Sequence, residues 1–383
     1  MSKNKQTKQN KPEFYSLDRI LKYNATYNII IGERSNGKTY AALEYGLKQY
    51  VNSGYQNEMA IIRRWQDDLT GARASSLFNA HVSNDVIKKL TNGEWTDVYY
   101  WSRKFWLCRY ENETRIKDSK PFCYIFAIST GEHDKSTSYP NITTIIFDEF
   151  LTRNFYIPDE FVHFQNVLST IIRHRGNVKI FMLGNTVNKY CPYFTEMGLT
   201  HVKQQEQGTI DLYTYGASEL RVAVEYCKSI NKSKESNKYF AFDNSKLQMI
   251  TQGTWEIDMY PHAPCKYTPN EIMLSYFILF NDEKLQCDIV YHYEEETEEQ
   301  YYFTYIHRKT SEIKDETKDI IYSTDFSPRE NWGRSLLSPT NKLQQRILSH
   351  FRREKVFYQD NEVGEIIMNY LQWCVQERKV GRK

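Results

Sequence analysis

The segment Gly32-Glu33-Arg34-Ser35-Asn36-Gly37-Lys38-Thr39 places two glycines, a lysine and a threonine at the spacing G-x-x-x-x-G-K-[ST]. The glycines admit backbone geometry and close approach that a Cβ blocks, so successive N–H groups, those of Ser35 and Asn36 among them, can face phosphates. Lys38 is then placed to reach the β- and γ-phosphates as a point charge, and the Thr39 hydroxyl to bind Mg²⁺. A second pair of candidates, Asp148 and Glu149, follows the apolar run Thr144-Ile145-Ile146-Phe147. Asp148 is the expected Mg²⁺ partner, and Glu149 the group that polarises an attacking water. A third candidate is Asn185, after Lys179-Ile180-Phe181-Met182-Leu183-Gly184. Its amide would contact the γ-phosphate or the lytic water, or only cap a turn.

These groups need strands that end at one edge and a helix that starts at the loop. Asn28 to Ile31 reads as the strand before the loop, and Tyr40 to Tyr50 has helical spacing after it. Apolar runs at 59–65, 122–129, 143–150 and 178–184, with a helical pattern over 159–173, predict an α/β fold with a largely parallel sheet covered on both faces. Ligands bind such sheets at the carboxyl ends of the strands, where Asp148, Glu149 and Asn185 would lie. Residues 97–110 read as a hairpin inserted between sheet strands. A guanine-specific switch is unsupported. Asp148 is followed by Glu149-Phe150-Leu151 rather than D-x-x-G, and Asn188-Lys189-Tyr190-Cys191 lacks the acid of N-K-x-D. The Asp-Glu pair instead favours ATP hydrolysis with Mg²⁺, hence mechanical work.

With 383 residues, 40% hydrophobic and 15% aromatic, the chain is long enough for two cores. Its net charge of +2 excludes a polycation that coats nucleic acid, so any such contact is a local patch. No apolar stretch approaches the ~20 residues that span a bilayer, so no membrane partner is expected. The seven cysteines form no C-x-x-C pair and read as reduced core thiols of a cytosolic protein. Apolar residues vanish over 230–238, which is read as a linker. The expected domains are a mobile basic tail at 1–12, an ATPase domain at 13–229 and a smaller α+β domain at 239–383. In the last, strands at 272–280, 285–293 and 300–307 precede helices at 341–353 and 363–377. The acidic run from Glu294 to Glu299 reads as a solvated hairpin tip.

Several blocks together resemble the DNA-encapsidation ATPases of small podoviruses, P-loop ring translocases of the additional-strand catalytic-glutamate class. They are Tyr27 to Thr39, Ile61-Ile62-Arg63-Arg64, Lys135-Ser136 leading to Tyr139-Pro140-Asn141, and Ile145 to Phe150, then Tyr156-Ile157-Pro158 and Gly184-Asn185-Thr186 leading to Pro192-Tyr193-Phe194. The resemblance covers about residues 14–200. It implies a homo-oligomeric ring, of five subunits, docked on the portal of a phage procapsid in the host cytoplasm and pumping double-stranded DNA, with a structural packaging RNA as a further partner. It also implies an arginine acting on the neighbour's nucleotide, at Arg173 or Arg175. The alternative for these is to cap the 159–172 helix against its dipole. Arg34 would lie near the γ-phosphate or face solvent, and Lys135 would contact nucleotide across the interface, contact DNA, or be a surface lysine.

Related motors carry an RNase-H-like second domain, which here is expected to be nuclease-dead. Asp243, Asp288, Asp325 and Asp360 are candidate carboxylates by type only. From Asn341 onward nine basic residues face five acidic ones, a plausible phosphate contact that includes Arg352-Arg353 and Arg378-Lys379. Arg63, Arg64, Lys88, Lys89, Arg103 and Lys104 are available in the first domain to line a DNA channel. Two other functions compete with the motor: a terminase with an active C-terminal nuclease, and a nucleotide-bound capsid component that never cycles.

Overall fold

The computed structural model describes residues 14–130, 138–152, 156–157, 159–186, 191–216, 219–228, 260–294 and 298–380, with residues 378–380 described by backbone only. The chain divides into two compact units, residues 1–152, 160–187 and 193–255, and residues 153–159, 188–192 and 256–383. The expected tail at 1–12 and linker at 230–238 fall outside the described residues. Within the second unit, the Tyr156 backbone N–H donates to Asn369 Oδ1 at 2.9 Å.

In the first unit, β1 (Tyr27–Gly32), β2 (Glu58–Arg63), β7 (Ile142–Asp148) and β8 (Lys179–Asn185) are buried along nearly their whole length. Both faces are therefore covered, as the uniformly apolar runs require. With β3 (Asp97–Trp101), β4 (Lys104–Glu111), β6 (Cys123–Ala127), β9 (Ile210–Tyr215) and β10 (Leu220–Tyr226), the order is β3-β4-β6-β2-β7-β8-β1-β10-β9. A further strand, β5 (Thr114–Lys117), pairs with β4. β6, β2, β7, β8, β1 and β10 are mutually parallel.

That order decides the site. β8 lies between β1 and β7, with Gly32 opposite Asn185 and Asp148 opposite Leu183. On the far side of β7, Ile62 is opposite Phe147, so Arg63 ends beside Asp148. The hairpin β9–β10, not foreseen from sequence, completes the sheet beyond β1; β9 alternates between half-buried and exposed residues and offers little periodic signal.

The helix Lys38–Asn52 springs from Gly37, whose φ of 95° is left-handed and suits only glycine at low cost. It buries Ala42, Leu43, Gly46, Leu47 and Tyr50 on one stripe against the sheet. The helix Glu160–Ile172 does the same with Phe164, Val167, Leu168 and Ile171.

In the second unit, β11 (Ile272–Phe280), β12 (Glu283–Glu294) and β13 (Glu299–Arg308) form an antiparallel meander. β14 (Ile320–Ser323) then pairs parallel with β11, and β15 (Trp332–Gly333) and β16 (Val356–Tyr358) complete the order β15-β14-β11-β12-β13-β16. Helices Lys342–Arg352 and Asn361–Val380 follow. Three consecutive strands and then helices is the smaller α+β arrangement expected. Glu294 and Glu299 face each other where the β12–β13 hairpin ends, so the acidic run does flank a hairpin connection.

Candidate nucleotide-binding site

A cavity of about 270 Å³ is lined by the loop residues Ser35 to Tyr40, by Asp148 and Glu149 from the end of β7, and by Leu183 to Asn185 from β8. The loop is shaped by two different constraints. A Cβ on Gly32 would stand 2.9 Å from Cys227 Cβ, so this glycine is fixed by the chain leaving β10 as much as by any ligand. Ser35 has φ of 61°, and with Gly37 it makes the left-handed turns that aim N–H groups inward.

Lys38 is buried, with Nζ 2.7 Å from Glu33 O, 3.1 Å from Asn36 Oδ1, 3.2 Å from Asn185 Oδ1 and 3.3 Å from Gly32 O. Burial pulls its pKa down to about 8, against the opposing pull of Cys227, Asp148 and Glu33. A cation held by neutral acceptors in a pocket suits a phosphate chain. The Thr39 hydroxyl donates to Asp148 Oδ1 at 3.1 Å, which brings together the two oxygen ligands a Mg²⁺ would share. The donor set is all oxygen and hard, and fits that ion.

Glu149 sits just past the end of β7 in a left-handed conformation, φ 61°, with its side chain 62% exposed. Such strain in a non-glycine residue persists only where the surroundings over-determine it. Here Arg64 supplies the determination. Its Nη1 donates to Glu149 O at 3.1 Å and its Nη2 to Phe150 O at 2.6 Å. The same guanidinium pairs with buried Glu160 through Nε–Oε2 at 2.7 Å and Nη2–Oε1 at 2.9 Å, and Glu160 also accepts from Tyr193. Arg63 takes the other side, with Nη2 2.7 Å from Asp148 Oδ2 and Nη1 3.0 Å from Glu149 Oε2.

The sequence had offered Arg63 and Arg64 for a DNA channel. That expectation is corrected: Arg63 bridges the two site carboxylates, and Arg64 is spent inside the fold. The signal was their position at the end of a strand next to β7, legible only once strand order is known. Of the other candidates, Asn185 joins the site through Lys38, and Gly32 contributes its carbonyl. Arg34 is exposed and does not line the cavity. Lys135 lies outside the described residues.

Arg173 and Arg175 are at the other edge of the sheet. The Arg175 guanidinium reaches Ile142 O at 2.6 Å, Ile171 O at 2.8 Å, and Tyr139 O and Ile172 O at 3.1 Å. Ile142 opens the seven-residue β7 that Asp148 closes, roughly 20 Å away at ~3.3 Å per residue. Arg173 is exposed, with φ of 42°.

In the second unit, Asp325 is exposed, Asp360 accepts from the Val363 N–H, and Asp243 lies outside the described residues. Buried Asp288 is surrounded by Ser275 Oγ at 2.6 Å, Gln286 Nε2 at 2.9 Å, His307 Nε2 at 3.1 Å and Tyr267 OH at 3.4 Å. Among the described residues no group of three or more His, Cys, Asp or Glu is placed to hold a metal ion.

A phosphate-binding loop between β1 and a helix, with an extra strand separating it from a carboxylate pair, defines a P-loop nucleoside-triphosphatase fold of the additional-strand class. Residues 9–252 match the family described as the podovirus DNA encapsidation protein (Gp16), and the chain belongs to that family. It is 30% identical over 184 residues to the DNA packaging protein of Bacillus phage phi29, covering 47% of this chain and 49% of the relative. The corresponding protein of Bacillus phage B103 is 30% identical over 183 residues, 47% of this chain and 50% of that one. The matched stretch thus spans about half the length of these relatives.

Among solved structures, the bacteriophage phi29 viral genome packaging motor assembly contains a chain similar over 95% of this one and 98% of its own length, with a TM-score of 0.57 at 18% identity. The Phi-28 gp11 DNA packaging motor gives 0.52 at 16% identity, covering 94% and 97%. These two likenesses bear on the fold.

Proposed function

We propose that the protein is an ATP-hydrolysing motor subunit that drives double-stranded viral DNA into a preformed capsid. The observation that carries this reading is the convergence of Lys38, Thr39, Asp148, Glu149 and Asn185 on one cavity, in a chain of the encapsidation family. Lys38 and the loop N–H groups bind the phosphates, while Thr39 and Asp148 hold Mg²⁺, which supplies charge neutralisation when bound. Glu149 orients the water, its backbone fixed by Arg64 and its carboxylate steered by Arg63. Asn185, on the strand between, touches Lys38 and is placed to register the γ-phosphate.

A homo-oligomeric ring is supported by Arg175, which lies at the opposite edge of the sheet from its own chain's cavity; a ring would bring such a residue to a neighbour's nucleotide. Arg173 or Arg175 is assigned to the neighbour's nucleotide, a role worth roughly 10³–10⁵ in turnover. Five subunits on the portal of a procapsid in the host cytoplasm, with DNA and a packaging RNA as partners, complete the proposal. No helix among the described residues is long and apolar enough to cross a membrane. The second unit is assigned to contact with nucleic acid or portal rather than to cutting, because Asp288 is surrounded by hydrogen-bond partners rather than by other carboxylates.

The test is ATP turnover by the full chain assembled with procapsid and duplex DNA. Glu149→Gln subunits, inactive alone, are expected to recover part of the turnover when mixed with subunits that lack the acting arginine, Arg173→Ala or Arg175→Ala, and the pair that recovers identifies it. Wild-type rings without DNA-stimulated turnover would refute the motor and favour a capsid component that never cycles. Plasmid cleavage with Mg²⁺ or Mn²⁺ would restore the nuclease reading.

A further inference from the structure

The three-stranded extension β3–β4–β5 is amphipathic in an unusual way. One face carries Tyr100, Phe105 and Leu107, with Phe105 and Leu107 buried in the core and Phe105 packed on Phe78 and Phe122. The register puts Trp101 opposite Lys104, Tyr99 opposite Trp106, and Tyr110 opposite Arg115 on the other face, with Lys117 opposite Cys108. Aromatic and cationic side chains thus alternate across an outward surface that is anchored from behind.

The cations are held by rings instead of carboxylates. Arg115 lies 4.3 Å from the Tyr99 centroid and 5.5 Å from Tyr110, and Lys117 lies 4.5 Å from Trp106. Lys104, Arg115 and Lys117 are exposed, and none forms an ion pair with a described carboxylate. Asp97, the acid on this face, accepts its neighbour's backbone N–H, from Val98 at 2.7 Å. Arg115 and Lys117 are two residues apart on one strand, about 7 Å. The result is a set of pre-positioned positive charges whose rotamer freedom is already reduced, which favours a polyanion with regularly spaced charges.

We infer that this face binds the phosphate backbone of duplex DNA through Lys104, Arg115 and Lys117, a contact that rests on the DNA-moving function proposed above. Duplex is favoured over single strand because the rings that would stack on bases are covered by the cations. Trp101, at the hairpin turn, is 65% exposed. The turn residues Ser102 and Arg103, both with positive φ, form a tight two-residue hairpin. Arg103 O accepts from the Ile125 N–H at 2.9 Å, which sets the turn toward the sheet edge where β2 delivers Arg63.

The experiment measures binding of the full chain to a duplex oligonucleotide across salt concentrations. The variant Lys104→Ala/Arg115→Ala/Lys117→Ala is expected to lower the slope of log affinity against log salt by about two to three, near 0.9 per lost phosphate contact. Its binding of a fluorescent ATP analogue without DNA is expected to be unchanged, while Lys104→Arg/Arg115→Lys/Lys117→Arg keeps the wild-type slope. If the triple alanine variant fails to bind the analogue, Lys104→Glu at the exposed turn decides, with duplex affinity expected to drop about tenfold. An unchanged slope beside normal wild-type DNA binding overturns this contact and leaves the motor standing. Absence of duplex binding by the wild type takes down both. Preferential loss of single-stranded DNA or RNA binding overturns the assignment to duplex.

Discussion

Each sheet buries an aspartate, and the two are used in opposite ways. Asp148 closes β7 at the edge where β1 and β8 also end, so its oxygens meet Thr39, Arg63 and a cavity. Asp288 lies in the middle of β12, where Ser275 and His307 from the adjacent strands and Gln286 from β12 itself surround it with hydrogen-bond partners. A carboxylate at the end of a parallel strand has somewhere to put a ligand; one in mid-strand has only its neighbours. The difference teaches that strand position, more than residue type, separates the site from internal polar structure.

The largest expected effect lies at the first of these edges. Glu149→Gln is expected to bind ATP but turn over 10²–10⁴ times more slowly in DNA-stimulated steady-state assays, the usual worth of a positioned base. Wild-type-like turnover in that variant removes Glu149 from the chemistry.

Next comes the support beneath it. Arg64→Met removes the cation paired with buried Glu160 and is expected to cost about 3–5 kcal/mol in denaturant unfolding of the first unit. Arg64→Met/Glu160→Gln should recover much of that stability, but not the turnover, because the carbonyls of Glu149 and Phe150 stay without their donor. Full recovery of both by the double variant would show that Arg64 serves stability alone.

The site was legible in sequence to the extent that it is contiguous. Lys38 and Thr39 follow the glycine loop that leaves one apolar run, Asp148, Glu149 and Asn185 sit at the ends of two others, and chemistry fixes the loop's spacing. Arg64 and Glu160 are 96 residues apart, and nothing local marks either as the other's partner. The β9–β10 hairpin escaped because β9 is half exposed, and β10 shows its parallel pairing only against β1. In the second unit the strands were legible from aromatic and β-branched runs, but the quiet role of Asp288 was not. Its partners come from its own strand, two others and a loop.

Asp288→Asn is expected to leave ATP turnover unchanged and to lower stability by about 1–3 kcal/mol, the worth of hydrogen bonds to a charged group. Burial pushes the Asp288 pKa up, yet bonds from His307, Ser275 and Gln286 hold it below the ordinary value, and that partnership in turn raises His307. The pair's contribution is therefore complete between the two ordinary values, near pH 4 to 6.5. It is lost above that range as pH rises through the raised His307 value, and below it as pH falls through the depressed Asp288 value. Thermal unfolding against pH should show the wild-type decline above the ordinary histidine value, about pH 6.5, flattened in the variant. A decline of equal depth in both would place its source elsewhere.

Lys38 makes the complementary case, since its pKa is shifted down where that of His307 is shifted up. With burial holding it at about 8, the cation that recognises the triphosphate is itself marginal near physiological pH. Binding of phosphate favours the protonated form, so affinity is nearly flat below pH 8 and falls above it. Between pH 7 and 9 the protonated fraction drops about tenfold, and the affinity for a non-hydrolysable ATP analogue should follow, a change of ~1.4 kcal/mol. Titration calorimetry on wild type and Lys38→Ala separates this from other groups: the variant binds weakly at every pH and without that slope. Because His307 acts on stability from about pH 6.5 and Lys38 on affinity from about pH 8, the two windows can be read in one preparation. Wild-type affinity that stays level to pH 9.5 would mean the Lys38 ammonium is held by its four acceptors and by Asp148 more firmly than its burial opposes.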